Sequence, residues 1–169
     1  MQTILVTGAT GSQGRPVVEK LLEAGYRVRM LARHPERAGD LTEKGAEGYA
    51  GDLGDVEAVR AAVRGVDGVF LLAPFFAGPG AALEYGRNVI AAAREAGVRL
   101  IVWNPTGEIP PVPTGNPALD LRRELLAELE ASGVPYVVLQ PTAYLENLLG
   151  PWTREEVAQR DTFAYPTPN

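Results

Sequence analysis

Apolar residues recur along the chain in two alternating rhythms. Short β-branched and aliphatic runs give way to longer stretches whose apolar residues return at every third or fourth position. Thr3 to Thr7 reads as a first strand. Gly14 to Ala24 reads as a first helix, with Val17, Val18, Leu21 and Leu22 on one face. The same junction then repeats, an apolar helix ending in glycine with a strand directly after it. Leu21-Leu22-Glu23-Ala24-Gly25 leads into Tyr26-Arg27-Val28-Arg29-Met30-Leu31. Arg94-Glu95-Ala96-Gly97 leads into Val98-Arg99-Leu100-Ile101-Val102-Trp103, and Leu129-Glu130-Ala131-Ser132-Gly133 into Val134-Pro135-Tyr136-Val137-Val138-Leu139. Glycine suits the left-handed residue that closes a helix.

Between these junctions the pattern predicts a weak third strand at Gly45 to Gly51 and a helix capped by Asp55, carrying Val56, Val59 and Val63 and closed by Gly65. Asp67 to Ala73 is apolar throughout its interior, as in a strand buried on both faces. A helix over Ala81 to Ala96 follows. After the fifth strand comes a proline-rich loop from Asn104 to Asn116. Asn116-Pro117 reads as an N-cap and first helical residue, and Leu119, Leu125, Leu126 and Leu129 give the next helix an apolar face. Strand six is Tyr136 to Leu139. Beyond Pro141 a short helix near Leu145 and another from Thr153 to Gln159 are expected. Helices alternating with strands in this way predict an α/β fold, a doubly wound parallel sheet with helices on both faces, Rossmann-like.

Composition narrows the chemistry. The 169 residues are 46% hydrophobic and 22% charged, an ordinary globular balance. With no cysteine there is no disulfide framework, thiol nucleophile or thiolate metal site. A single histidine, His34, argues against a His-based metal site and a Ser-His-Asp triad. A net charge of −5 without a basic stripe argues against direct nucleic-acid binding. The longest uncharged run, Gly68 to Leu83, is interrupted by Pro74 and Pro79, so no membrane span is expected. The N-terminus lacks the basic start of a signal peptide, which makes a cytoplasmic protein the expectation.

The first strand runs into Thr7-Gly8-Ala9-Thr10-Gly11-Ser12-Gln13-Gly14, where the first helix begins. Gly8 permits the tight turn, Gly11 lets the backbone approach a pyrophosphate, and Gly14 lets the helix pack close to the sheet. The positive helix end and exposed N–H groups of the loop favour an anion. Thr10, Ser12 and Gln13 complete this cofactor-binding loop. NAD sites place an acid at the end of strand two to hold the ribose 2′-hydroxyl. Here that strand ends Leu31-Ala32-Arg33-His34-Pro35, and Arg33 lies 19 residues after Gly14. A guanidinium there would hold a 2′-phosphate with about 1.5–3 kcal/mol, so NADP(H) is expected over NAD(H). Arg29 and Arg37 are expected to add to the positive field, and His34 is either an adenosine contact or a surface residue. In Gly51-Asp52-Leu53, Asp52 either accepts from the adenine amino group, beside Leu53, or caps a turn. Ala73, Pro74, Phe75 and Phe76 either line the ribose and nicotinamide path or form an apolar cluster.

These motifs together resemble the NmrA-like branch of the atypical short-chain dehydrogenases/reductases. The glycine loop carries it, as do Val28-Arg29-Met30-Leu31-Ala32-Arg33, Gly51-Asp52-Leu53, Asp67-Gly68-Val69-Phe70, Ser132-Gly133-Val134-Pro135-Tyr136 and Gln140-Pro141-Thr142-Ala143-Tyr144-Leu145-Glu146-Asn147. The resemblance spans nearly the whole chain and implies that Arg33 meets the NADP 2′-phosphate. The family usually continues past strand six into a substrate lobe. The expected organisation is therefore an NADP-binding domain over residues 1–140 and the start of a truncated lobe over 141–169, with the C-terminal substrate lobe rudimentary or missing.

Catalytic residues are less legible. The superfamily's usual Tyr-x-x-x-Lys pair is absent. The tyrosines at 26, 49, 85, 136, 144 and 165 are followed four residues on by Met30, Leu53, Val89, Gln140, Leu148 and Asn169. Reductases of the branch often keep a catalytic lysine on the helix before strand six. That helix here holds Arg122 and Arg123, which either orient a substrate or phosphate or form a solvated face. Asn104 and Tyr144 are the catalytic candidates, able to polarise a carbonyl, with Thr106 and Asn147 on the substrate side. The resemblance implies NADPH-dependent reduction of a small carbonyl or quinone. The alternatives are a non-catalytic NADP(H)-sensing regulator acting through protein contacts, or an inactive cofactor-binding fragment. Leu148, Leu149 and Trp152 are candidates for a homodimer surface or the seat of a further lobe.

Overall fold

The computed structural model describes residues 1–74, 77–149 and 157–160. Six parallel strands form one sheet, β1 (Thr3–Thr7), β2 (Arg27–Ala32), β3 (Glu47–Ala50), β4 (Gly68–Leu71), β5 (Leu100–Trp103) and β6 (Tyr136–Val138), in the spatial order β3-β2-β1-β4-β5-β6. The order reverses direction between β1 and β4, the crevice where open α/β sheets bind ligands. The helices are α1 (Gly14–Glu23), α2 (Gly39–Glu43), α3 (Val56–Val63), α4 (Pro79–Glu95) and α5 (Pro117–Ser132). This is the doubly wound α/β fold the sequence predicts.

Period-two alternation distributes the strand side chains to the two faces. Val6, Val28, Met30 and Phe70 pack with Val18 of α1 and Leu41 of α2. Leu5, Leu31, Val69, Leu71, Ile101 and Trp103 face the other way, onto Val59 and Val63 of α3, Val89 and Ile90 of α4, and Leu125 and Leu129 of α5. All four residues of β4 are buried, as expected for a central strand. The outermost strands are short and open, with Tyr136, Val137 and Leu139 at the β6 edge each more than a third exposed.

Local chemistry sets the helix ends as read from sequence. The Asp55 carboxylate accepts from the N–H groups of Glu57 and Ala58, and Asn116 Oδ1 from that of Ala118. Gly25, Gly65, Gly97 and Gly133 all have positive φ after their helices. Two face assignments need correction. The buried stripe of α5 is Leu121, Leu125 and Leu129, while Leu119, in the first turn, is only half-buried. Val56 is 41% exposed, and Ala62 takes its place in the buried face of α3. The turn Pro35–Ala38 and helix α2 were not expected. Past β6, a short turn of helix covers Leu145–Leu149. Of the helix expected at Thr153 to Gln159, only residues 157–160 fall within the described set, and they are helical.

Candidate functional site

The C-terminal ends of the strands surround a cleft of about 840 Å³. Its floor is the turn from β1 into α1. Gly8 takes φ 64°, and a side chain there would meet Leu72 Cδ2 at 3.0 Å. Gly14 is more constrained, since a Cβ would lie 2.2 Å from the Gly8 carbonyl oxygen and 2.9 Å from Ala9 Cα. Gly11 meets only the Gly8 oxygen, at 3.4 Å, and is open otherwise. The turn closes with Gly11 N–H donating to Gly8 O and Arg15 N–H to Gly11 O, both at 3.0 Å. Thr7, fully buried, pins this turn to β4. Its hydroxyl accepts from Leu72 N–H at 2.8 Å and donates to Leu72 O at 3.0 Å.

Gly8, Thr10, Gly11, Ser12 and Gln13 line the cleft, and Gly14 supports them from beneath. Gln13 Oε1 is buried and has no hydrogen-bond partner among the described residues, which leaves an unused acceptor in the loop. Buried polar atoms are nearly always paired, so an orphan in a cleft points to a ligand.

Arg33, His34 and Arg37 form one wall and Asp52 and Leu53 the next. The Arg33 side chain is 73% exposed, with Nε 3.9 Å from Asp52 Oδ2. Such a long, open pair leaves the guanidinium available. His34 faces Glu36 at 3.1 Å. Asp52 takes the turn-capping role, its Oδ1 accepting from Gly54 N–H at 2.8 Å, and it also lines the cleft. Arg29 must be corrected. It shares the face of Leu31, which points at α3, so its guanidinium donates to Ala62 O at 2.8 Å and Arg64 O at 2.9 Å, and sits 4.5 Å over the Tyr49 ring. It satisfies the free carbonyls at the end of α3 and adds nothing to the cleft wall.

On the far side Leu72, Ala73, Pro74 and Thr106 line the cleft. Phe75 and Phe76 lie outside the described residues. Beside Thr106, Asn104 is 8% exposed at the end of β5. Its Oδ1 accepts from Thr106 N–H at 2.9 Å and from the Tyr144 hydroxyl at 3.0 Å. The sequence candidates 104, 106 and 144 are thus brought together from two separate segments. Thr106 has φ 60°, a left-handed conformation that costs a non-glycine residue about 1–3 kcal/mol and persists only where neighbours hold it. Asn147 is exposed one turn beyond Tyr144, and of the candidates Asn104, Thr106, Tyr144 and Asn147, Thr106 alone is among the described residues lining the cleft. The side chains of Leu148, Leu149 and Trp152 lie outside the described set.

Arg122 and Arg123 do not form a solvated face. Arg122 donates to Glu108 O at 2.9 Å and Arg123 to Pro110 O at 2.8 Å, and Gln140 Oε1 accepts from Ile109 N–H at 2.7 Å. Together they fix the proline-rich loop against α5. Burial lowers the Arg122 guanidinium from its ordinary value, with the nearby Tyr144 working in the opposite direction. Sequence reasoning missed Tyr85 of α4, which also lines the cleft. Its place beside Ala82, Gly86 and Val89 reads as part of a core stripe.

The chain as a whole is similar to known proteins. A phosphate reductase of Streptomyces griseus, (4-alkanoyl-5-oxo-2,5-dihydrofuran-3-yl)methyl phosphate reductase, is 38% identical over 146 residues, covering 86% of this chain and 49% of the relative. The NAD(P)H azoreductase of Xenophilus azovorans is 33% identical, covering 86% of this chain and 50% of its own. The crystal structure of an NADPH-dependent quinone oxidoreductase from Escherichia coli, complexed with NADPH, superposes with a TM-score of 0.73 at 28% identity over 94% of this chain and 54% of that one. The chain spans about half the length of these relatives. No helix among the described residues is long and apolar enough to cross a membrane. The profile of the NmrA-like family matches residues 1–169, from the first strand through the glycine turn and past β6, and the chain belongs to that family.

Proposed function

We propose that this chain binds NADP(H) and reduces a small carbonyl or quinone. The observation that carries the reading is Arg33, exposed at the end of β2 on the wall of the cleft whose floor is the glycine turn. The residues present fit a dinucleotide. The Gly8–Gly14 turn offers backbone N–H groups to a diphosphate. Arg33 holds the 2′-phosphate, with Arg37 adding charge, and Gln13 gains a partner for its orphaned oxygen. When bound, the reduced nicotinamide supplies hydride. The chain's own task is then to hold and polarise the acceptor.

Asn104, Thr106 and Tyr144 make up the acceptor end. The Tyr144 hydroxyl, which donates to Asn104 in the free protein, is the group offered to a carbonyl oxygen. Arg122 keeps a fixed positive charge on that side. The reductase relatives support this reading, whereas a purely regulatory NADP(H) sensor draws no support from them.

The test is to mix the protein with NADPH and a panel of quinones and small carbonyls and follow loss of the reduced-nicotinamide absorbance. Turnover that disappears in Arg33→Glu supports the proposal. NADPH binding without turnover on any acceptor would remove the reductase and leave only the cofactor site.

A further inference from the structure

We propose that Arg122 is a positioning residue for the acceptor end: its guanidinium, laid against Gly107, holds Thr106 in the left-handed conformation in which it lines the cleft. The inference rests on the reductase reading above and gives the arginine a task beyond its charge. Thr106 is tied first to the residues before it. Its N–H donates to Asn104 Oδ1 at 2.9 Å, and its hydroxyl donates to Pro105 O at 2.7 Å. A threonine at φ 60° also needs a hold from the other side, because a non-glycine residue keeps that conformation only where its surroundings fix it. Arg122 supplies that hold from α5. A Cβ on Gly107 would lie 3.2 Å from both Nη1 and Nη2 and 3.4 Å from Cζ, so the guanidinium covers this residue closely. Nη1 also donates to Glu108 O at 2.9 Å. One side chain thus covers the first residue after Thr106 and hydrogen-bonds the second.

Two details give the contact its direction. Gly107 is not among the glycines with positive φ, so its missing side chain makes room for the guanidinium and is not needed by the backbone. Arg122 itself is not among the described residues lining the cleft, whereas Thr106 is, so the arginine acts through the loop and not on the acceptor. The effect extends one bond further. The Asn104 oxygen that accepts from Thr106 N–H also accepts from the Tyr144 hydroxyl at 3.0 Å, so a shift of Thr106 reaches the group offered to the carbonyl. A lysine could reach Glu108 O but has no planar face to lay on Gly107.

The experiment compares the whole chain with Arg122→Ala, Arg122→Lys and Gly107→Ala. It reads kcat and KM with the best acceptor of the quinone and carbonyl panel, NADPH affinity by titration, and the sign of the Thr106 φ from its backbone scalar couplings. Arg122→Ala should lower kcat about tenfold and release Thr106 from positive φ, with NADPH affinity unchanged. Arg122→Lys should lose as much, since it keeps only the charge. Gly107→Ala should lower kcat in the parent and add nothing in the Arg122→Ala background, where its methyl has no guanidinium to displace. A parent-like kcat in Arg122→Ala or Arg122→Lys overturns the assignment. So does a Thr106 that keeps positive φ without the guanidinium, or a Gly107→Ala effect equal in both backgrounds. Rates lost together with NADPH affinity and melting temperature count against it too, as general loss of structure. Should Arg122→Ala fail to fold, Arg122→Lys and Gly107→Ala decide the question. Should the parent reduce no acceptor, the reductase reading falls, and the Thr106 conformation alone decides whether Arg122 holds the loop.

Discussion

The two ends of the sheet are built from the same strands and treat their polar groups in opposite ways. At the N-terminal end the groups around Asp67 are saturated. Asp67 accepts from Thr3 N–H and from Arg99, both at 2.7 Å, and its own N–H donates to Thr3 O at 2.8 Å. One carboxylate thereby ties the starts of β1, β4 and β5. At the C-terminal end Arg33 stands 3.9 Å from Asp52, Gln13 Oε1 is orphaned, and Thr106 is held in a left-handed conformation. Saturated polar groups fix a fold, and groups left short of partners on a fixed frame are what a ligand can use.

Substitutions at the two ends should therefore fail differently. The largest effect is expected for Gly14→Ala, whose Cβ would meet only backbone, at 2.2–2.9 Å. It should cost about 3 kcal/mol of stability by thermal unfolding, because backbone yields less readily than a side chain. A parent-like melting temperature would mean the floor of the cleft is not rigid. Next, Arg33→Glu should weaken NADPH about a hundredfold through loss of a charge-assisted contact of about 3 kcal/mol, with NADH little changed in the same titration. Equal losses for both would show that the variant disturbs the cleft rather than one phosphate contact.

Tyr144→Phe is expected to lower turnover about tenfold with NADPH affinity unchanged, as for loss of one hydrogen bond of about 1.4 kcal/mol. Steady-state rates alongside direct binding would separate the two. The mildest change is Asp67→Asn. The Thr3 N–H and then Arg99 hold the Asp67 carboxyl below its usual value. A depressed carboxylate contributes stability above its unfolded value of about 4, and that contribution is lost as pH falls through the folded value. Asp67→Asn should melt below the parent at pH 7, converge with it in acid, and bind NADPH equally well. A loss of affinity would show that the two ends are not separable.

How much of this was legible follows from which interactions are local. The pattern gives β1 its observed bounds because Gly8 interrupts it, and the Asp55 and Asn116 caps are legible because each bonds within its own first turn. The pattern overextends β4, since apolar residues continue past the point where strand pairing ends at Leu71. Helix α2 leaves no apolar stripe because it is short and polar, with Leu41 its buried residue. Arg33 and the glycine turn lie on consecutive elements, which makes both legible together. The destination of Arg29 depends on α3 crossing above it, the bonds of Arg122 and Arg123 on where the proline loop folds back, and the place of Tyr85 on the turn at Gly54. None of these contacts leaves a periodic trace in the chain.

The central claim is that the unsaturated end of the sheet is shaped for a dinucleotide bearing a 2′-phosphate. Calorimetric titration of the parent chain with NADPH and with NADH tests it most directly. The account predicts that NADPH binds at least about tenfold more tightly. Equal affinity for the two, or no binding of either, would contradict it.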